Sequence, residues 1–529
     1  MKTIKGILLV LVFLAATCGA SSAATNTALP RSNPAQEGVD PNAIRIFADS
    51  LMKVPETDIH HVVVVRHGSV IAEAHVAPFT KDDVHTLYSC SKTFTMLAIG
   101  MLVDDGKLSV NDKVVDLLPD KAPAEKSDAL KEMTVKHLLT MTAGITPALE
   151  LRQEGDDWAK VWLAQPVTKL GRFQYDSLCT FMLAAIVQRI TGNTLLEFLN
   201  ERFFHPLGIY EADWEESPDG INVGGWGLRL TAESMAKAGI CMMNKGMWQG
   251  KQLVSAKWIE EASQAHTNYS NPGPKPTDTN QGYCYQMWRC LLPDAFRADG
   301  AFGQFIVMSP EYDLVVVITG VSSNTGKELA CIWNYLIPGV QKEVPSNEPV
   351  YDDEGRRLMR KVSEAMEIKP PLNVLLSLPR EDIDRINIEL GPNTRTYKTM
   401  SIEFWKSDHG IRSYYGCRMK VVRTDGTVTE YPFMYYDWAK QTTIQAPPYN
   451  NGVGPVDLRE IKGLKGEYST AGNCYWLDNK LVLRLYWTNW IVCNTFTFDF
   501  KDDGTATIIN DEGYPGCEPE VITATYELQ

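Results

Sequence analysis

LYSCSKTFTMLAIGMLVDDG, residues 87–106, carries Ser89-Cys90-Ser91-Lys92 near its start and runs on as an apolar segment that closes at Gly106. Apolar residues three and four apart predict a helix, and the glycine marks its end. Residues three apart on a helix share a face, so Ser89 and Lys92 can touch. A lysine in a dry pocket loses basicity and can take the serine proton, while the helix N-terminus favours negative charge nearby. Ser-x-x-Lys is weak as a pattern: it recurs at Ser50 to Lys53 and at Ser234 to Lys237, where a capping serine beside a solvated lysine is the default reading. Only Ser89 follows a strand pair and opens a long apolar helix.

That strand pair is HVVVVRHGSVIAEAHV, residues 61–76, two β-branched runs around His67-Gly68, with His60 and His61 opening the first strand. The turn dipeptide predicts a hairpin. Far downstream, FGQFIVMSPEYDLVVVITG, residues 302–320, gives another strand pair around Ser309-Pro310. Between the pairs the period becomes helical in VKHLLTMTAG, FMLAAIVQRITG and TAESMAKAGICMMNKG, each closing on glycine. Strands at both ends with helices between predict one α+β domain whose sheet is completed by distant parts of the chain. Residues 343–381 then read as a polar, acidic linker. From residue 382 to 529 short alternating runs with turn signals such as Asp425-Gly426 predict an all-β sandwich or barrel. Its Trp405, Trp438, Trp476, Trp487 and Trp490 are expected in a core or a domain interface rather than on a ligand face.

The chain has 529 residues, 44% apolar and 22% charged, with a formal charge of -14. A single small module, a disordered tail and a multi-span membrane protein are excluded by this composition. No basic run or stripe is present, which argues against nucleic acid as a partner. Lys2 and Lys5 before ILLVLVFLAA and the small residues GASSAA have the order of a secretory signal. Residues 1–24 are therefore expected to be removed and the remainder, with a catalytic domain over 25–342, to be periplasmic or secreted. The apolar run is too short for a membrane span, and lipoprotein processing at Cys18 ranks second. The eleven cysteines are scattered without a Cys-x-x-Cys pair, so free buried thiols are expected rather than a disulfide scaffold. No His-Glu-x-x-His or His-x-His occurs, and neither a metal nor another cofactor is expected.

Two further elements accompany Ser89 and Lys92. Tyr175 stands just before a second apolar helix, with Ser177 two residues on; a tyrosine beside an ammonium can lose its proton more easily and act as acid or base. Tyr269-Ser270-Asn271 is a rival by pattern, but it opens no helix. In ADGAFGQF, residues 298–305, Gly300 and Gly303 let backbone amides approach a substrate, and an amide there can face that of Ser89 as an oxyanion hole.

In this order the three elements resemble the serine β-lactamase-like superfamily. The resemblance extends to TVKHLLTMTAGI, GGWGLRLTAESMAKAG, GKQLVSAKWIEEAS and GYCYQMW, and points to the branch of nylon-oligomer hydrolases, family VIII esterases and class C-like β-lactamases. It implies an antiparallel sheet flanked by helices with a helical subdomain. It also implies Ser89 as acylated nucleophile, Lys92 as its base, Tyr175 as proton relay and the amides of Ser89 and Ala301 as oxyanion hole. Ser177, Asp299, Gly300, Gly303 and Gln304 are the candidate substrate-binding positions. Two positions depart from the pattern: Ser177 stands where asparagine is usual, and Ala298-Asp299-Gly300 replaces Lys-Thr-Gly or His-x-Gly, so the cation that would hold a β-lactam carboxylate is missing. Arg297 beside it is expected to be solvated.

The expected function is hydrolysis of a small ester or amide through an acyl-enzyme on Ser89. The alternatives are acyl transfer to an alcohol, β-lactam hydrolysis, and an inactive homologue that binds peptide or glycan. The Gly-x-Ser-x-Gly of an α/β-hydrolase is absent; GVSSN, residues 320–324, lacks the last glycine.

Overall fold

His67 and Gly68 both take positive φ, 48° and 75°, which is the two-residue turn whose twist matches flanking strands. It joins β1 (Thr57–Arg66) to β2 (Ser69–His75) as the sequence predicts. The computed structural model describes residues 27–146, 157–267, 277–343, 380, 382–409, 412–450, 455–456, 460–465 and 467–529. The leader, nearly all of the 343–381 linker and the rival Tyr269-Ser270-Asn271 lie outside the described residues. Only strands of the two large sheets are numbered here.

The first sheet adds β3 (Trp288–Arg289), β4 (Phe296–Gly300), β5 (Gln304–Ser309) and β6 (Leu314–Ser322), in the spatial order β2-β1-β6-β5-β4-β3. All its pairings are antiparallel, with Val62 opposite Ile318 and Val64 opposite Val316. Side chains alternate between two cores. Val62 and Val64 of β1 meet Phe305, Val307, Val316 and Ile318, covered by Ile44, Phe47 and Leu51 of α1 (Pro41–Leu51). Val63 and Val65 pack on the other side with Ile306, Met308, Val315 and Val317 beneath the helical part of the domain.

That helical part is built on α2 (Ser91–Asp104), α3 (Ser177–Thr191) and α4 (Ala232–Met243). Every residue of α2 from Ser91 to Leu102 is buried, so this helix is apolar all round instead of amphipathic. Each fully buried Leu, Ile, Met or Phe contributes about 1.5–3 kcal/mol, and α2 carries six of them from Phe94 to Leu102 in reach of both sheet and helices, including Met96, Leu97, Ile99 and Met101. Asp176 caps α3, accepting from Leu178 N and Trp162 Nε1 at 2.9 Å each, and Gly192 ends it at φ 75°.

The second sheet comprises β7 (Arg385–Leu390), β8 (Tyr397–His409), β9 (Arg412–Arg423), β10 (Val428–Met434), β11 (Ala439–Thr443), β12 (Tyr468–Leu477), β13 (Lys480–Trp487), β14 (Cys493–Phe500), β15 (Thr505–Asp511) and β16 (Glu520–Leu528). Their order is β10-β9-β8-β7-β16-β15-β14-β13-β12-β11. A parallel bridge between Met434 of β10 and Asn473 of β12 closes the sheet on itself, so of the two predicted architectures this is a barrel, which leaves no long edge exposed. Asn473 Nδ2 fastens the closure by donating to Met434 O at 3.0 Å and Asp437 O at 2.9 Å. Ile386, Met419, Phe433, Leu483, Phe496, Ile508 and Ile522 fill the interior with Trp476, Trp487 and Trp490. Trp438 packs edge-on to Tyr486, whose hydroxyl donates to Asp58 Oδ2 at 2.7 Å across the seam between the two domains. Trp405 stays half-buried against Gly416. Among the described residues no helix is long and apolar enough to cross a membrane.

Candidate active site

Ser89 sits on a single 3-10 turn, Tyr88–Cys90, that runs straight into α2. Tyr88 holds φ 45°, a left-handed conformation that costs a bulky residue on the order of 1 kcal/mol or more. The chain thereby passes from the short strand His85–Thr86 into the helix within one turn.

Lys92 is 1% exposed, and its Nζ lies 2.9 Å from Ser89 Oγ, 3.0 Å from Ser177 Oγ and 2.6 Å from Gly225 O. A carbonyl can only accept, so one N–H is committed to Gly225. When the amine is neutral, a second N–H on Ser177 leaves its lone pair for the Ser89 hydroxyl proton. The loop carrying Gly225 can come this close because it has no side chain there: a Cβ on Gly225 would lie 2.6 Å from Ser177 O.

Ser89 lies close enough to the Tyr175 hydroxyl to pull its pKa down. The Tyr175 ring stacks on Trp288 at 5.9 Å and meets Tyr283 edge-on at 6.0 Å. The expectation that an ammonium eases its deprotonation is corrected here. Burial raises the phenol above its ordinary value and outweighs the pull of Ser89, and Lys92 Nζ stands 5.0 Å over the ring centroid. Tyr175 therefore carries its proton and is suited to donate it.

The third element forms the end of β4, a turn at 301–303 and the start of β5. Asp299 Oδ2 accepts from Arg297 Nε at 2.8 Å. Burial raises the Asp299 carboxyl, Arg297 pulls it back, and its charge is felt at Tyr175 and Cys90. Arg297 is 1% exposed and donates to Asp278 O and Arg289 O. The expected solvated arginine is in fact a buried partner of Asp299, held beneath the strand.

Three predicted substrate positions are turned elsewhere. Gly300 presses on the nucleophile loop, where a Cβ would lie 2.3 Å from Leu87 O. Gly303 takes φ 94°, and a Cβ there would lie 2.6 Å from Glu328 Oε2. Gln304 is fully buried, donating to Gly320 O at 2.8 Å and Ala301 O at 3.1 Å and accepting from Gly320 N at 3.2 Å. These residues shape the turn and leave Ala301 exposed at its tip. Ser177 and Asp299 stay beside the reacting groups.

The Ser234 to Lys237 pattern departs from the capping-serine, solvated-lysine reading: Lys237 is buried with its Nζ donating to Gly208 O at 3.1 Å, while Ser234 Oγ accepts from Thr231, the residue that caps α4. Cys90 is buried, its thiol raised by burial and bonded to Gln304 O, so it competes poorly as a nucleophile. Among the described residues the cysteines form no disulfide, and eight of them are buried. Gly225, Glu328 and the aromatic contacts of Tyr88 escaped the sequence reading. Gly225 alone had a signal, as part of GGWG. Glu328 reads as an ordinary helix-surface acid in TGKELAC yet is fully buried.

A family model described as Beta-lactamase matches residues 60–337. The chain is 26% identical over 298 residues to 6-aminohexanoate-dimer hydrolase of Paenarthrobacter ureafaciens, covering 51% of this chain and 74% of that protein. It is 28% identical over 167 residues to lovastatin esterase of Penicillium rubens, covering 26% of this chain and 41% of that protein. Among solved structures, the octameric penicillin-binding protein homologue from Pyrococcus abyssi is similar over 92% of this chain and all of its own, at 16% identity and a TM-score of 0.46.

Proposed function

Because this chain belongs to the Beta-lactamase family over residues 60–337, we propose that it hydrolyses a small ester or amide lacking a carboxylate near the scissile bond, through an acyl-enzyme on Ser89. The observation that carries this is Lys92 Nζ placed 2.9 Å from Ser89 Oγ while bonded to Ser177 and Gly225. As Ser89 Oγ attacks the carbonyl carbon, its proton passes to the neutral Lys92 amine, and the amides of Ser89 and Ala301 receive the oxyanion. Collapse breaks the bond to the leaving group, which takes the Tyr175 proton, and Lys92 restores that proton. Water then attacks the acyl carbon as its proton passes to Lys92, and Lys92 returns that proton to Ser89 Oγ as the acyl bond breaks.

Asp299 supports the substrate class. Ala298 stands where the Lys-Thr-Gly or His-x-Gly pattern has its cation, and the anionic side chain one residue on repels a carboxylate and disfavours β-lactams. The relatives named above comprise an amide hydrolase and an esterase, in line with either leaving group. The charged, apolar and small-residue order of residues 1–24 supports action outside the cytoplasm. Ser89→Ala should abolish hydrolysis of p-nitrophenyl butyrate while keeping the far-UV spectrum, and a fluorophosphonate should add its mass to Ser89 of the wild type. Undiminished turnover by Ser89→Ala would overturn the assignment. Product analysis with and without added alcohol separates hydrolysis from acyl transfer.

A further inference from the structure

The two residues that flank the proposed oxyanion amides, Tyr88 before Ser89 and Phe302 after Ala301, pack against the core of the barrel and not only against their own domain. Their rings meet edge-on at 5.3 Å. Phe302 in turn lies 5.7 Å from the ring of Tyr514, which comes from the loop between β15 and β16. The Tyr88 hydroxyl reaches the Tyr514 hydroxyl at 3.5 Å. Tyr514 is itself fixed from within the barrel: its hydroxyl donates to Pro448 O at 2.9 Å and accepts from Trp490 Nε1 at 2.9 Å.

A second contact lies beside the first. Tyr449, its ring tilted against Trp490 at 5.9 Å, bonds both carboxylate oxygens of Glu215 at 3.0 and 3.1 Å. Glu215 N bonds Gly227 O at 3.0 Å, and Val223 N bonds Glu215 O at 2.9 Å. These bonds bracket the loop whose Gly225 carbonyl holds Lys92. The barrel thus touches both the turn that would bind the oxyanion and the loop that holds the base.

Neither catalytic-domain segment is rigid by sequence alone. Tyr88 and Phe302 both stand at positive φ, 45° and 65°, conformations that persist only where surroundings enforce them. Tyr514 reaches both from across the seam, Phe302 through its ring and Tyr88 through its hydroxyl.

We propose that Tyr514 of the barrel is a positioning residue for catalysis, holding the Ser89 and Ala301 amides at their spacing through Tyr88 and Phe302. The barrel is then part of the catalytic apparatus, though none of its described residues is hydrogen-bonded to Ser89 or Lys92. This rests on the Ser89 assignment above.

The test uses the full-length protein as Tyr514→Ala, Tyr514→Phe and Phe302→Leu, assayed with p-nitrophenyl butyrate and by the rate of fluorophosphonate labelling. Displacement of an oxyanion donor by a fraction of an ångström predicts a fall in kcat of roughly tenfold to a hundredfold for Tyr514→Ala, with KM within about twofold. Labelling should slow in parallel. Tyr514→Phe keeps the ring against Phe302, so its kcat should stay within about threefold of wild type even as loss of the Trp490 and Pro448 bonds lowers Tm. If Tyr514→Ala does not fold, Phe302→Leu reads the same contact from the other side, with the same kcat loss expected. Folded Tyr514→Ala or Phe302→Leu labelling as fast as wild type would overturn the proposal, as would rates that follow Tm across all three variants. Failure of the wild type to label at all would instead overturn the Ser89 assignment.

Discussion

The carboxyl of Glu328 lies directly under Gly303, so close that a Cβ on that glycine would fall 2.6 Å from Oε2. An acid that looks like surface in sequence thus forms the underside of the oxyanion turn, and burial pushes it up to about 8. An unfolded chain releases this proton near its ordinary value of 4.5, whereas the folded protein keeps it until about 8. Between those values the folded state must hold a proton the unfolded state has lost. Stability contributed by the neutral acid is therefore complete below 4.5 and falls as pH rises through 8.

Glu328→Gln removes that dependence. The variant's Tm should match wild type near pH 4.5, exceed it increasingly toward pH 8 by the equivalent of a few kcal/mol, and run parallel above. Differential scanning calorimetry at five pH values checks this, and a constant Tm difference would contradict it.

Gly303→Ala meets both obstacles at once, a φ of 94° and the Glu328 carboxyl. It should destabilise by about 1–3 kcal/mol and lower kcat more than KM, because the strained turn carries Ala301. Urea melts paired with steady-state kinetics provide the measurement.

Ser177 gives Lys92 one of its fixed bonds at 3.0 Å. Ser177→Ala should reduce kcat about tenfold, the value of one hydrogen bond to a basic group, and Ser177→Asn should restore most of it. Stopped-flow acylation rates distinguish this from a general folding defect.

Asp299→Asn tests the charge that sets substrate class. The ratio of kcat/KM for a carboxylated p-nitrophenyl hemiester to that for the neutral butyrate should rise about tenfold or more as the nearby repulsion is removed. Stability should drop by about 3–5 kcal/mol, since Arg297, 1% exposed, is left as a buried charge without its carboxylate partner.

Features set by local spacing were legible in the sequence. Ser89 and Lys92 sit three apart on one helical face and meet at 2.9 Å, and His67-Gly68 makes the predicted turn because its φ values are intrinsic to those residues. Features set by what packs from afar were not. Gly300, Gly303 and Gln304 lie at the head of the expected strand, but their environment is fixed by Leu87, Glu328 and Gly320, none of which is near in sequence to all three. Arg297 was expected in solvent because charge predicts exposure, yet backbone carbonyls and Asp299 satisfy it inside. The alternating strands after residue 382 could not distinguish sandwich from barrel, since that choice rests on the single bridge from Met434 to Asn473.

The order of the first sheet places β1 between β2 and β6, with Arg66 opposite Leu314. During synthesis the N-terminal hairpin emerges with the valine-rich flank of β1 unpaired, and its partner strand leaves the ribosome only when nearly the whole catalytic domain has been made. Such long-range pairing slows folding and leaves an aggregation-prone edge open meanwhile. Expression of this protein should consequently be limited by how well chaperones shield one strand, and truncations ending before residue 314 should accumulate as insoluble chains however complete their helices.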